Sequence, residues 1–147
     1  MKQLKLTIAV LAAVILSMLS AGCTRNNGDI GPWFGTWQVS RIDADGVPLP
    51  DYSGNVVLKF QNHVMESRVQ RENHSYSAYW CSWSETDGAL KLEITPGGDS
   101  SGYVDELMIP WTPVNILRIR SQTGKSACLS RLSDEGVEYT YYLKKLY

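Results

Sequence analysis

Several things are scarce in this 147-residue chain. There are three cysteines, two histidines and two phenylalanines. Two histidines, His63 and His74, are too few for a zinc centre. Glu66 and Glu72 lie near them, but no spacing here matches a zinc signature. Charge of one sign is also missing. The formal net charge is -1, which gives no electrostatic footprint for nucleic acid. There is no apolar run of the roughly 20 residues that a membrane-spanning helix needs. From Trp33 onward there is no sustained helical period either.

Catalytic patterns are equally thin. No serine sits in Gly-x-Ser-x-Gly, and no histidine is spaced to pair with one. Gly124-Lys125-Ser126 ends like a phosphate-binding loop, but Ile119 stands where its first glycine belongs and no helix follows. Asp43-Ala44-Asp45-Gly46 looks like half of a calcium loop. The bidentate glutamate is absent, since Gly54 takes that position, and a plain turn is the expectation. The sequence argues for a non-enzymatic protein without metal or cofactor.

The beginning of the chain is informative. Lys2 and Lys5 precede an apolar run of about 14 residues from Leu6 to Leu19, too short to span and typical of a signal peptide. Ser20-Ala21-Gly22-Cys23 then resembles a bacterial lipobox. On that reading residues 1-22 are a cleaved signal and Cys23 is the lipidated first residue. Cleavage would remove Lys2 and Lys5, two positive charges, and take the chain from -1 to -3. More than one acyl chain suffices for stable membrane attachment. Residues 23-32 are polar, rich in Gly and Asn, and read as a tether that buries too little surface to order itself. Residues 33-147 read as one domain.

In that domain short alternating runs are interrupted by turn residues about every 8–12 positions, the signature of a sandwich or barrel. The runs are Thr36 to Ile42, Asn55 to Gln61, His63 to Gln70, Tyr76 to Ser84 and Ala89 to Thr95. Tyr103 to Ile109, Val114 to Arg120, Lys125 to Leu132 and Val137 to Leu146 follow. Asp87-Gly88 supplies the positive φ angles of a tight hairpin. The expected fold is all-β: a single antiparallel up-and-down barrel of about eight strands, which removes sheet edges. A β-sandwich is the alternative.

Gly35-Thr36-Trp37 on the first strand matches the Gly-x-Trp motif of lipocalins. With the lipobox, the tether and the tyrosine-rich last strand, the chain resembles the lipocalin-like lipoproteins of Bacteroides. The resemblance implies that Trp33, Gly35 and Trp37 lie at the closed end of the barrel, with Trp33 and Phe34 as its plug. Lipocalins place an arginine from the last strand on the motif tryptophan; Val137 to Tyr147 contains none. In the lipoproteins of this type an acidic run after the lipidated cysteine marks export to the surface. Its absence favours a periplasm-facing outer-membrane anchor.

Five Trp and eight Tyr are many for this length. Such side chains either fill a small β core or line a pocket mouth. Tyr76, Tyr79, Trp80, Trp83, Trp111, Tyr139 and Tyr141, with Tyr142, are the candidate pocket residues, although alternation lets at most half of them face inward. Cys81 and Cys128 form a candidate disulfide, because the envelope is oxidising and two thiols remain after Cys23 is lipidated. The expected function is a membrane-anchored module that binds a small apolar or amphipathic molecule in the cell envelope. An interior filled with side chains, with no cavity above roughly a few tens of Å³, would overturn it and favour the alternative, a filled barrel acting as an interaction subunit or inhibitor on an envelope protein partner.

Overall fold

The computed structural model describes residues 31–147. The signal segment, Cys23 and most of the tether lie outside the described residues. Nine strands follow one another: β1 (Gly35–Ala44), β2 (Val47–Pro48), β3 (Val56–Gln61), β4 (Val64–Gln70), β5 (Tyr76–Thr86), β6 (Ala89–Glu93), β7 (Val114–Gln122), β8 (Ser126–Leu132) and β9 (Glu138–Lys145). β2 is a two-residue flap on β1, and the other eight pair antiparallel in sequence order. β1 also pairs with β9, from Trp37↔Lys145 to Ala44↔Tyr139, and closes the sheet. The fold is thus the expected eight-stranded up-and-down barrel, not a sandwich.

Alternation determines what fills it. Val56, Leu58 and Phe60 of β3, Leu90 and Leu92 of β6, and Tyr141 and Leu143 of β9 are all buried, with more exposed residues between them. Each large apolar side chain so buried contributes about 1.5–3 kcal/mol. β1 begins with Trp37 and Val39 inward. A bulge between Val39 and Arg41 shifts the register by one, so Ile42 turns inward in its place. The extra residue keeps the apolar set facing the core along a strand whose sequence breaks period two. A second bulge lies between Ile119 and Ser121 of β7.

Two differences from the sequence reading matter. Val47 and Pro48, which lie between the first two expected runs, add the short β2. Tyr103 to Ile109, read as a strand, is not one. It holds a single 3₁₀ turn, Asp105–Leu107, followed by Met108 in the left-handed region at φ 53°. Tyr103, Val104, Leu107 and Ile109 are buried. The apolar content of this stretch reflects insertion into the barrel, not membership of its wall.

Candidate functional site

The barrel has two differently built ends. The turns Gln61–Val64 and Asp87-Gly88 and the β7–β8 turn lie at the end where β1 begins. Here Trp33 and Trp37 are fully buried, with ring centres 5.7 Å apart. The ring contacts continue from Trp33 to Phe60 at 5.6 Å and from Phe60 to Trp83 at 5.1 Å. Both indoles are satisfied: Trp37 Nε1 donates to Trp33 O at 2.8 Å, and Trp33 Nε1 donates to Glu85 Oε2 at 2.9 Å. Trp33 lies in the barrel floor, while its neighbour Phe34 is only half-buried. Gly35 has φ +121°, and a Cβ there would stand 2.5 Å from Tyr147 O. Glycine is required because the end of β9 crosses directly over it.

The opposite end is covered by the long connection between β6 and β7. β5 has eleven residues and β6 five, so the upper half of β5 has no β6 partner. Ser100 to Gly102 fills that gap: Trp80 N donates to Ser100 O at 2.8 Å and Gly102 N to Trp80 O at 3.0 Å. Trp111 lies over Gly102, where a Cβ would meet its ring at 2.9 Å, and packs edge-on against Tyr79 at 4.8 Å.

Between these contacts the segment 103–109 descends into the barrel. Val104 N donates to Ser67 Oγ at 3.2 Å, Tyr141 OH to Leu107 O at 2.8 Å and Arg131 Nη2 to Met108 O at 2.6 Å. Burial pushes the Tyr141 phenol up to about 12, against the opposing influence of Arg131. Tyr103 is also raised by burial, and its hydroxyl makes no well-formed hydrogen bond. Beneath the plug, Leu58, Met65, Leu92, Leu117 and Leu129 surround an apolar void of only about 10 Å³, at the limit for even one water.

The eight candidate aromatics therefore do not form one pocket. Tyr76 and Trp80 face outward, and Tyr76 carries the Arg68 guanidinium 4.5 Å from its ring centre. Tyr142 also faces outward, under Arg41. Trp83 joins the floor through Phe60. Tyr79 packs with Trp111, which is half exposed on the rim. Tyr139 and Tyr141 stand on the wall of the plugged mouth beside Arg131. The candidate disulfide is corrected: Cys81 and Cys128 are free. Cys81 is buried in the barrel, whereas Cys128 lies between the buried Ala127 and Leu129 and so points to the outside. Their strands, β5 and β8, are not neighbours.

His63 and His74 are exposed and sit in turns at opposite ends of the barrel. Among the described residues no group of three His, Cys, Asp or Glu side chains could hold a metal ion. Asp45-Gly46 forms the β1–β2 turn. A wider concavity of about 1080 Å³ lies open to solvent outside the barrel, near Gln38, Asn55, Gln70 and His74.

Two residues absent from the sequence-based candidates prove central. Arg131 follows Ala127 and Leu129 at alternate positions on β8, and this period would have turned it inward. Leu107 gave no such signal, since a loop residue is buried by tertiary contacts alone.

No protein-family model matches the sequence, and no curated protein does. Among solved structures, a lipocalin-like protein from Bacteroides uniformis superposes with a TM-score of 0.61 at 15% identity, over 79% of this chain and 100% of that one. An uncharacterized protein from Bacteroides eggerthii gives 0.59 at 17% identity, over 77% and 98%. The fold is lipocalin-like, and both of these neighbours come from Bacteroides species.

Proposed function

We propose that this chain is a lipid-anchored, non-catalytic protein of the bacterial envelope whose barrel takes up a small apolar or amphipathic molecule. Among the described residues the interior is filled, with a void of only about 10 Å³, and this counts against a resident ligand. What sustains the binding reading is that part of the filling comes from a segment outside the sheet. Residues 103–109 occupy the volume a ligand would need. Ser67, Arg131 and Tyr141 hold their backbone by three hydrogen bonds. Each contributes about 0.5–1.5 kcal/mol net, somewhat more for the one from Arg131. With a void of about 10 Å³ the closed state holds no ligand, so uptake requires this segment to withdraw. The sequence around Cys23 supports the anchor, and the lack of an acidic run after it favours the periplasmic side of the outer membrane.

The filled interior also favours a second reading, a solid barrel that docks on an envelope protein partner. Met108, Trp111 and Val114 are exposed near the plugged mouth and offer an apolar rim for such contact. Native mass spectrometry of protein purified from its own envelope separates the two. A stoichiometric small molecule supports uptake; its absence together with a co-purifying protein supports docking. For the anchor, Cys23→Ala should move the protein from the membrane to the soluble fraction.

A further inference from the structure

Arg131 is more than nine-tenths buried, at 8% exposure, yet no Asp or Glu among the described residues pairs with it. The contrast with the exposed arginines is informative. Of the five exposed arginines described, Arg41, Arg68, Arg71 and Arg120 have Asp43, Glu66, Glu106 and Glu138 respectively, and only Arg118, which stands in solvent, has none. Water would solvate those cations anyway. The buried one, which has most need of a counter-charge, meets the neutral Met108 carbonyl, the face of Tyr139, 5.3 Å from its guanidinium carbon, and the neighbouring Tyr141 phenol. Its Nε is buried with no partner at all.

The adjacent donor points to what is missing. Arg131 pairs with Tyr139 across the β8–β9 ladder and Leu129 with Tyr141. Arg131 and Tyr141 are thus diagonal neighbours on the inner face. In the closed state they bind two consecutive carbonyl oxygens, Met108 O at 2.6 Å and Leu107 O at 2.8 Å. Two acceptor oxygens are thereby presented to a guanidinium and a phenol. A carboxylate presents two oxygens as well, and carries the charge these carbonyls lack.

We propose that Arg131 and Tyr141 form the headgroup site of the barrel and take the carboxylate of a single-chain amphipathic acid. The proposal rests on the uptake reading above and names its ligand class. The Leu107 and Met108 carbonyls hold the two donors in the closed state. When the plug withdraws, the carboxylate replaces them and also engages the free Arg131 Nε, making the two-pronged contact arginine forms with carboxylates. The alkyl chain fills the apolar volume vacated by Leu107.

Calorimetric titration of the full barrel domain with dodecanoate and with dodecanol tests this. The acid is expected to bind at least about tenfold more tightly than the alcohol, the discrimination typical of a hydrogen bond to a charged group. Arg131→Gln should abolish that preference. Dodecanol affinity should hold or rise, because the variant also releases the Met108 carbonyl that helps hold the plug. Arg131→Lys should retain part of it, and Tyr141→Phe should weaken acid binding severalfold. If Arg131→Gln does not fold, the other two variants and the acid–alcohol comparison in the native protein carry the test. Equal affinity for acid and alcohol, or a preference that survives Arg131→Gln, overturns the headgroup site and leaves uptake standing. Binding of neither overturns both.

Discussion

Lys145 Nζ lies 5.2 Å from the centre of the Trp37 ring, and the two residues face each other in the β1–β9 register. The last strand lacks the arginine that lipocalins place on this tryptophan. The position is nevertheless filled by a cation, from the residue that closes the barrel seam. What the site needs is a positive charge on a buried indole face, and lysine meets that need with a flexible stem that also covers the ring. Lys145→Ala should lower stability by about 0.5–2 kcal/mol in urea unfolding, and Lys145→Arg should retain it. A Lys145→Ala/Trp37→Phe double-mutant cycle with no coupling would show that the contact is incidental.

Gly35 should be the least replaceable glycine among those with positive φ. Its Cβ would stand 2.5 Å from Tyr147 O, at φ +121°. Gly46 also has positive φ, +78°, but nothing lies within 4 Å of a Cβ there. Gly46→Ala should therefore cost about 1–2 kcal/mol, the strain of the left-handed conformation alone. Gly35→Ala should cost more, because the β9 end must also shift and the bonds Thr36 N–Tyr147 O and Leu146 N–Thr36 O stretch with it. Equal losses for the two variants in urea unfolding would show that the close approach is relieved at no cost.

Cys81 and Cys128 should behave as two independent thiols. Burial pushes Cys81 up to about 12, and also raises Cys128 though it is only half-buried. Iodoacetamide should modify Cys128 slowly and leave Cys81 protected until the chain unfolds. Reductant should change neither electrophoretic mobility nor Tm. A mass two hydrogens lower, linking peptides that contain Cys81 and Cys128, would contradict their placement on opposite faces of the wall.

The strands were legible in the sequence because the signal is local. Leu90 and Leu92 against Lys91, or Asp87-Gly88 before them, need no knowledge of the rest of the chain. The Gly35-Thr36-Trp37 motif pointed to the barrel floor through the lipocalin resemblance and not through any local signal. What could not be read was the plug. Tyr103, Val104, Leu107 and Ile109 have the composition of a strand, and only the short β6 and the gap beside Trp80 explain why they enter the barrel. The pocket aromatics divided for a related reason. Alternation on β5 separates Tyr79 and Trp83 from Tyr76 and Trp80, but it does not by itself say which set faces the core. Arg131 was legible in hindsight from its spacing to Ala127 and Leu129; its lack of a counter-ion was not, since that depends on every strand around it.

Alkaline solution should destabilise the fold. Cys81 rises from 9.0 and Tyr141 from 10.0, both to about 12 on folding, and Tyr52 and Tyr103 are raised by burial as well. A group with a raised folded pKa gives its full stabilisation below its unfolded pKa. As pH climbs through that value the unfolded chain releases protons that the folded barrel retains, so stability falls. The decline should begin near pH 9 and continue to about 12. Cys81→Ala should make the early part of the decline shallower without removing it, since Cys128 is also raised from 9.0. A urea midpoint that stays flat across this window would mean that these groups are already solvated in the folded state.

Leu107→Ala tests whether the plug is a wall of the core or a loosely seated cover. Leu107 is fully buried above the small void lined by Leu58, Leu92 and Leu129. If the segment stays in place, the deletion enlarges a dry apolar cavity and costs about 2–5 kcal/mol. The enlarged cavity should then admit a small apolar probe such as xenon, as apolar cavities of roughly 150 Å³ do. If the segment instead settles into the gap, the loss will lie at or below the lower limit and xenon will not bind. Both results keep Tyr141 OH and Arg131 on the plug backbone. A third outcome differs: full unfolding stability with new exposure of 103–109 to proteolysis would show that the barrel tolerates an open mouth, as uptake of a ligand requires.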